Sequence, residues 1–171
     1  MPTDLRLPLA DGVFALRVAA IIVRRPTSDP ADSRLLVATN DTTDLLYSVG
    51  GAVAFGETVR EALAREIREE TGADLPIGQL AAVEQAFFRG HDRQNWHQVT
   101  FCYWVDVSAD FEPVCGSTGR NGEPERLRWI GAADLTDDVG LFPALLRETL
   151  AGRWRGVRQY VERNGKYEDA D

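Results

Sequence analysis

The chain has 171 residues, of which 44% are hydrophobic, 27% charged and 9% aromatic. That composition excludes a disordered or low-complexity chain and suffices for one globular domain that buries roughly 70% of its unfolded surface. Asp and Glu number 27 against 19 Lys and Arg, a net charge of −8, which argues against a duplex nucleic-acid partner, since that needs a basic footprint.

The same acidity repels a polyanionic small molecule unless positive charge is supplied locally. Lys166 is the only lysine, and the arginines are spread along the chain without clustering. The longest strictly apolar run, Val18 to Val23, is far short of the roughly 20 residues that span a bilayer. Met1 to Gly12 contains Asp4 and Asp11 and no apolar signal core, so a cytoplasmic location and no membrane partner are expected. Cys102 and Cys115 are too few for a disulfide framework and lack metal-site spacing. Cys102 lies in a β-rich run and reads as a buried, inert thiol.

In chain order, Val13 to Val23, broken only by Arg17, reads as a strand buried on both faces. Arg24 to Ser33, with two prolines and small polar residues, is a loop. Arg34 to Thr39 is a second strand, and Leu45 to Val49 a short third one ending at Gly50-Gly51. Thr58 to Thr71 is the clearest helix. Thr58 with Glu61 forms a capping box, Gly72 is suited to the left-handed residue that ends a helix, and Ala62, Leu63 and Ile67 give a narrow apolar stripe. Leu80 to Phe88 and Gln98 to Val107 read as strands joined by the polar loop Arg89 to His97. Phe111 to Pro124 is irregular, Arg126 to Ile130 a last strand, and Ala132 to Leu135 a helical turn. Pro143 stands at a first-turn position before a helix from Ala144 to Leu150. Trp154 to Glu162 is expected to continue as helix, giving a C-terminal helical segment of about 143–163. No repeat and no linker divides residues 1–171, so one domain is expected. Its class is α+β, a mixed sheet with helices packed on it.

The helix holds a local conflict. Glu66, Glu69 and Glu70 are related by i, i+3 and i, i+4, which projects three carboxylates from one face. Like charges at those spacings destabilise a helix by about 0.2–0.5 kcal/mol per pair, and two of them sit in the last turn, where the macrodipole disfavours anions. A solvated acidic face is the ordinary meaning of such a triplet. A hard divalent cation with oxygen ligands would resolve both conflicts.

The surrounding register decides between these. Gly51, five residues, Glu57, seven residues, then Arg65-Glu66-Ile67-Arg68-Glu69-Glu70-Thr71-Gly72-Ala73 reproduces the pattern GX5EX7REUXEEXGU, with U a bulky aliphatic residue. Over these 23 residues the chain resembles the Nudix hydrolase family, and the likeness extends more loosely from about Val13 to Leu135. Three positions depart from the pattern: Val49 stands where many members have Pro, Ala54 where many have Glu, and Ala73 is small for the last aliphatic position. None removes a carboxylate.

The resemblance implies an α/β/α sandwich in which a loop–helix–loop holds Mg²⁺ (or Mn²⁺) against a diphosphate. Glu66, Glu69 and Glu70 would be the metal-binding carboxylates, joined by the backbone carbonyl of Gly51. Arg65 and Glu57 would orient the helix and its first glutamate. A bound dication neutralises developing charge on the phosphates and activates a water. The expected function is therefore Mg²⁺-dependent hydrolysis of a nucleoside diphosphate linked to another moiety. Candidate substrates are nucleoside triphosphates, ADP-ribose, dinucleoside polyphosphates and nucleotide sugars. The alternative is a non-catalytic nucleotide-binding regulatory domain of the same fold. Isomerisation of a prenyl diphosphate would call for a positioned cysteine, which Cys102 does not supply.

In this family a general base or further ligand often comes from outside the motif. Glu123 and Glu125 are the candidates, Glu125 preferred, with Glu84 and Glu112 behind them. Phe88 and Trp96 border the Arg89–His97 loop, as Phe87 does, and with Arg93 are the substrate-binding candidates, as rings to stack and a cation for phosphate. Arg89 and Arg120 are weaker ones. His91 and His97 read as polar loop residues. The partner is a small nucleotide-type molecule, and the chain a monomer or homodimer.

Overall fold

The computed structural model describes residues 3–26, 32–41, 43–90, 92–114, 122, 124–136, 139–164 and 166–169. Its strands are β1 (Arg6–Leu9), β2 (Gly12–Arg24), β3 (Arg34–Asn40), β4 (Thr43–Tyr47), β5 (Ile77–Arg89), β6 (Asn95–Val105), β7 (Arg126–Ile130), β8 (Leu141–Phe142), β9 (Arg158–Arg163) and β10 (Lys166–Asp169). The α-helices are α1 (Val59–Thr71) and α2 (Leu146–Thr149), with a 3-10 turn at Ala132–Asp134. One sheet runs β10-β9-β5-β6-β2-β3-β4-β8, with β1 added beside β2 and β7 beside β3. It is mixed: β2 lies parallel to β6, β5 to β9 and β4 to β8.

Strand β2 organises the layers because its side chains alternate between two faces. Val18, Ala20 and Ile22 pack with Ala62, Leu63 and Ile67 of α1. Ala19, Ile21 and Val23 pack on the other face with Trp104, Leu145 and Leu146, where α2 begins. The expected sandwich forms, with a second helical layer only four residues long.

Helix α1 is built by the signals read in the sequence. Thr58 is extended at φ −75°, its side chain accepts from the Glu61 N–H, and Glu61 answers with a bond from the Thr58 N–H at 2.8 Å. Gly72 ends the helix at φ 71° and donates to the Arg68 carbonyl at 3.0 Å. A left-handed residue there favours glycine because it has no Cβ.

The C-terminal expectation is corrected. The helix over 144–150 shrinks to Leu146–Thr149, and the helix over 154–162 gives way to β9. Tyr160 and Glu162 are buried while Gln159 and Arg163 are exposed, the period of two that marks a strand. The decisive contact is non-local: β9 runs parallel to β5, pairing Glu84 with Tyr160 and Ala86 with Glu162. Trp154 locks the approach, its indole N–H donating to the Ala81 carbonyl at 2.8 Å beside Trp104. Strands β1, β8 and β10 were not anticipated; each is four residues or fewer and exists through pairing with a distant or following strand.

Candidate active site

Strand β3 pairs with β2 only at Val23 and Arg24, which leaves the earlier edge of β2 open. Residues 49–53 fill it: Ala20 N–H donates to Val49, Val18 N–H to Gly51 at 3.0 Å, and Val53 N–H to Leu16. In this ladder the carbonyls of Val49 and Gly51 face β2, and the Gly50 N–H turns away from it to Glu70. The sequence reading gave the Gly51 carbonyl to the metal. That oxygen accepts from the Val18 N–H at 3.0 Å, which occupies one of its two lone pairs, and the Gly50 carbonyl accepts from Arg17 Nη2 at 3.4 Å.

Helix α1 places the motif residues against this loop. Glu70 is 6% exposed and its Oε1 accepts from the Gly50 N–H at 3.0 Å, while its Oε2 is buried without a hydrogen-bond partner. Burial above all, then the charges of Glu66 and Glu125, push its pKa up to about 8 against the Gly50 hydrogen bond and Arg17. Glu66 lies over Gly51 so closely that a Cβ there would stand 2.2 Å from its Oε1. Burial and the neighbouring Glu69 raise its pKa, opposed by Arg65 and Arg17. Glu69 is more open, 59% exposed, with Oε2 3.6 Å from Arg65.

Arg65 is the keystone of the support. Its Nε and Nη2 grip both oxygens of Glu57 at 2.9 and 3.0 Å, Nη1 donates to Glu66 at 2.5 Å, and Nη2 also reaches the Ala52 carbonyl. Bidentate pairing is what the planar guanidinium does best. It brings the Glu57 carboxyl down to about 2, helped by the Ala54 N–H, and raises Arg65 itself.

Glu125, just before β7, joins the cluster from a distant part of the chain. Its Oε1 accepts from the Tyr47 hydroxyl at 2.7 Å, and Asn40 donates to the same hydroxyl at 3.2 Å. Burial and the Glu125 bond push the Tyr47 pKa up, so Tyr47 stays a donor. Glu123 lies outside the described residues. Glu112 is exposed and bonded to Arg24 and Trp129 instead. Glu84 is fully buried, pushed up to about 8 by burial and by Glu162.

These oxygens fit a hard dication. Glu70 carries an orphaned buried oxygen, and the Glu66 carboxylate lies against Gly51 in the space that a side chain there would take, so both present hard oxygen donors. Among the described residues no three His, Cys, Asp or Glu side chains stand in a ligating arrangement.

Phe88 and Trp96 line a cavity of about 530 Å³ at the ends of β2, β5 and β6, together with Phe14, Phe87, Asn95 and His97. Phe88 lies parallel to Trp96 at 6.0 Å and edge-on to Phe142 at 6.1 Å. Phe142 is the β8 partner of Tyr47, which carries this ring system to the carboxylate edge. Trp96 is largely buried and its N–H donates to Asp92. Arg93 is exposed in the β5–β6 turn at φ 62° and is not among the residues lining the cavity. Cys102 is fully buried and its thiol is raised by burial. His91, Cys115 and Arg120 lie outside the described residues.

A model of the NUDIX domain matches residues 14–150. The chain belongs to the Nudix family. It resembles the ORF135 protein of E. coli at 26% identity, covering 85% of this chain and 92% of that one with a TM-score of 0.51. The MutT NUDIX hydrolase of Burkholderia pseudomallei matches at 25% identity over 81% and 96%, TM-score 0.57. A MutT protein of Bacillus halodurans, 14% identical over 90% and 96% with a TM-score of 0.62, shares the fold. The protein is thus a Nudix hydrolase, acting on phosphoric anhydride bonds, and the family generally uses divalent metal ions. No helix of the described residues is long and apolar enough to cross a membrane.

The sequence reading missed Tyr47, Gly50 and Arg17. The available signals were the Gly50-Gly51 doublet and a lone arginine interrupting a buried strand.

Proposed function

We propose that this Nudix hydrolase is an Mg²⁺-dependent (or Mn²⁺-dependent) pyrophosphohydrolase that cleaves a nucleoside diphosphate linked to a further moiety. The observation that carries the reading is Glu70: a buried carboxylate with one oxygen tied to Gly50 and the other unpartnered. Burying such an oxygen unsatisfied is unfavourable by roughly 1–3 kcal/mol or more, and an oxygen-seeking cation would remove that penalty. Glu66, Glu69, Glu70 and the Gly51 carbonyl would hold it. The ion would clamp the diphosphate and acidify a water.

Arg65 and Glu57 fix the Glu66 carboxylate through the guanidinium fork. Glu125, whose Oε1 accepts from the Tyr47 hydroxyl, would accept the proton of the attacking water. Phe88 and Trp96 supply a ring-sized apolar wall on which a base or sugar would rest. Arg93, exposed in its turn, is assigned to the rim, where it would meet a phosphate only of an extended substrate.

The test is a panel of nucleoside triphosphates, ADP-ribose, nucleotide sugars and dinucleoside polyphosphates, assayed with and without Mg²⁺ and scored by product identity. Turnover that appears only with the metal is expected, and Glu69→Gln or Glu70→Gln should lower kcat by roughly 10²- to 10³-fold with little change in Tm. Full turnover in both variants, or binding without hydrolysis across the panel, would overturn it.

A further inference from the structure

Arg65 and Arg17 both act on the carboxylate edge, with Arg6 beside Arg17, and the three guanidiniums are held very differently. Arg65 is saturated by Glu57, Glu66 and the Ala52 carbonyl. Arg6 is paired with Asp4 at 3.6 Å. Arg17 makes one hydrogen bond, a long one of 3.4 Å from Nη2 to the Gly50 carbonyl, and no ion pair within the described residues. A guanidinium carries five N–H donors, so most of its donor capacity faces no protein acceptor.

Its place in the fold is specific. Arg17 projects from the face of β2 that carries Ala15 and Ala19, opposite the face on which α1 packs through Val18, Ala20 and Ile22. The Gly50 peptide stands between the two sides: its N–H holds Glu70, and its carbonyl meets Arg17. Glu66 and Glu70 act on Arg17 more strongly than any other carboxylate, although neither bonds it. A partly buried cation kept beside two carboxylates and bonded to neither is costly to maintain without an anion to receive it.

We infer that Arg17 is the phosphate-binding residue of this site, holding a non-bridging oxygen of the diphosphate on the sheet side of the carboxylate edge, opposite α1. The inference rests on the pyrophosphohydrolase reading and deepens it. An acidic protein with three clustered carboxylates needs a local cation to admit a polyanion, and Arg65, the cation the motif itself provides, is fully engaged in orienting Glu57 and Glu66. Arg17 has donors to give and stands beside Glu66 and Glu70.

The experiment uses Arg17→Met, which keeps most of the apolar stem, and Arg17→Lys, which restores a point charge without the fork. Binding of the four α,β-methylene nucleoside diphosphates is measured by calorimetry in the presence of Mn²⁺, and Mn²⁺ affinity is measured separately without nucleotide. Folding of each variant is checked by Tm. Arg17→Met is expected to weaken analogue binding by about 10- to 100-fold, with Mn²⁺ affinity within twofold of the parent and Arg17→Lys recovering part of the loss. Parent-like analogue binding by folded Arg17→Met overturns the assignment. A loss of Mn²⁺ affinity equal to the loss of analogue binding also overturns it, because the residue would then act on the carboxylates. Should the parent bind Mn²⁺ but none of the analogues, the underlying reading fails and takes this assignment with it.

Discussion

The loop and helix from Gly50 to Gly72 and the ring-lined ends of β2, β5 and β6 make opposite uses of the same sheet. The first is polar and over-determined: Glu57, Arg65, Glu66 and Glu70 are each fixed by a partner within the same short stretch. The second is apolar and assembled from strands far apart in the chain, with Phe14, Phe88 and Trp96 meeting only because β2, β5 and β6 are neighbours. Positioning of reacting groups has to be tight, since small displacements of charge are felt steeply. Recognition of a ring can be looser, because apolar contact is non-directional.

If that contrast is right, a methyl group should be ruinous at one region and tolerable at the other. Gly51→Ala drives a Cβ against the Glu66 carboxylate, which can swing aside without disturbing the core. The expected result is a loss of roughly 10²-fold in kcat with Tm almost unchanged. Unaltered kcat would show that the Glu66 position is not critical.

Truncation at the apolar end should read differently. Phe88→Ala is expected to raise KM by about 5- to 100-fold, in line with the roughly 1–3 kcal/mol of a ring–base stack, and to leave kcat within about twofold. A fall in kcat with KM constant would place Phe88 with the reacting groups and blur the division.

The smallest expected effect concerns neither region. Glu84 is buried behind them, with its folded-state pKa raised to about 8 from the ordinary 4.5. Its stabilising neutral form is fully present below the unfolded value and is lost as pH rises from about 4.5 through about 8, because the unfolded chain releases that proton more readily. Tm should therefore decline over that window, and Glu84→Gln should flatten the decline by several degrees, at roughly 2–4 °C per kcal/mol for a chain of this size. A parent Tm that rises from pH 5 to pH 8, or an equally steep fall in the variant, would refute it.

Legibility in the sequence divides along the same line as the two regions. The capping box, the terminal Gly72 and the glutamate register of α1 depend on residues three to eight apart, so local rules place them. The same holds for the Arg65–Glu57 pair, eight residues apart across a helix start. Gly50 shows the limit: the Gly50-Gly51 doublet was legible, but which groups its N–H and carbonyl meet depends on which edge of β2 the loop joins. The C-terminal stretch failed for a related reason. Trp154 to Glu162 carries no pattern strong enough to exclude a helix, and only the free edge of β5 makes Arg158–Arg163 a strand.

By itself, then, the sequence determined the chemistry of one helix: which side chains it offers, at what spacing, and how the helix begins and ends. Tertiary structure alone decided that Glu125 and Tyr47 meet there, that the Gly50 N–H holds Glu70 while its carbonyl meets Arg17, and that Arg17 is left with donors unused. Those outcomes depend on strand order and register, set by pairing between segments tens of residues apart. No local rule can state which edges will meet.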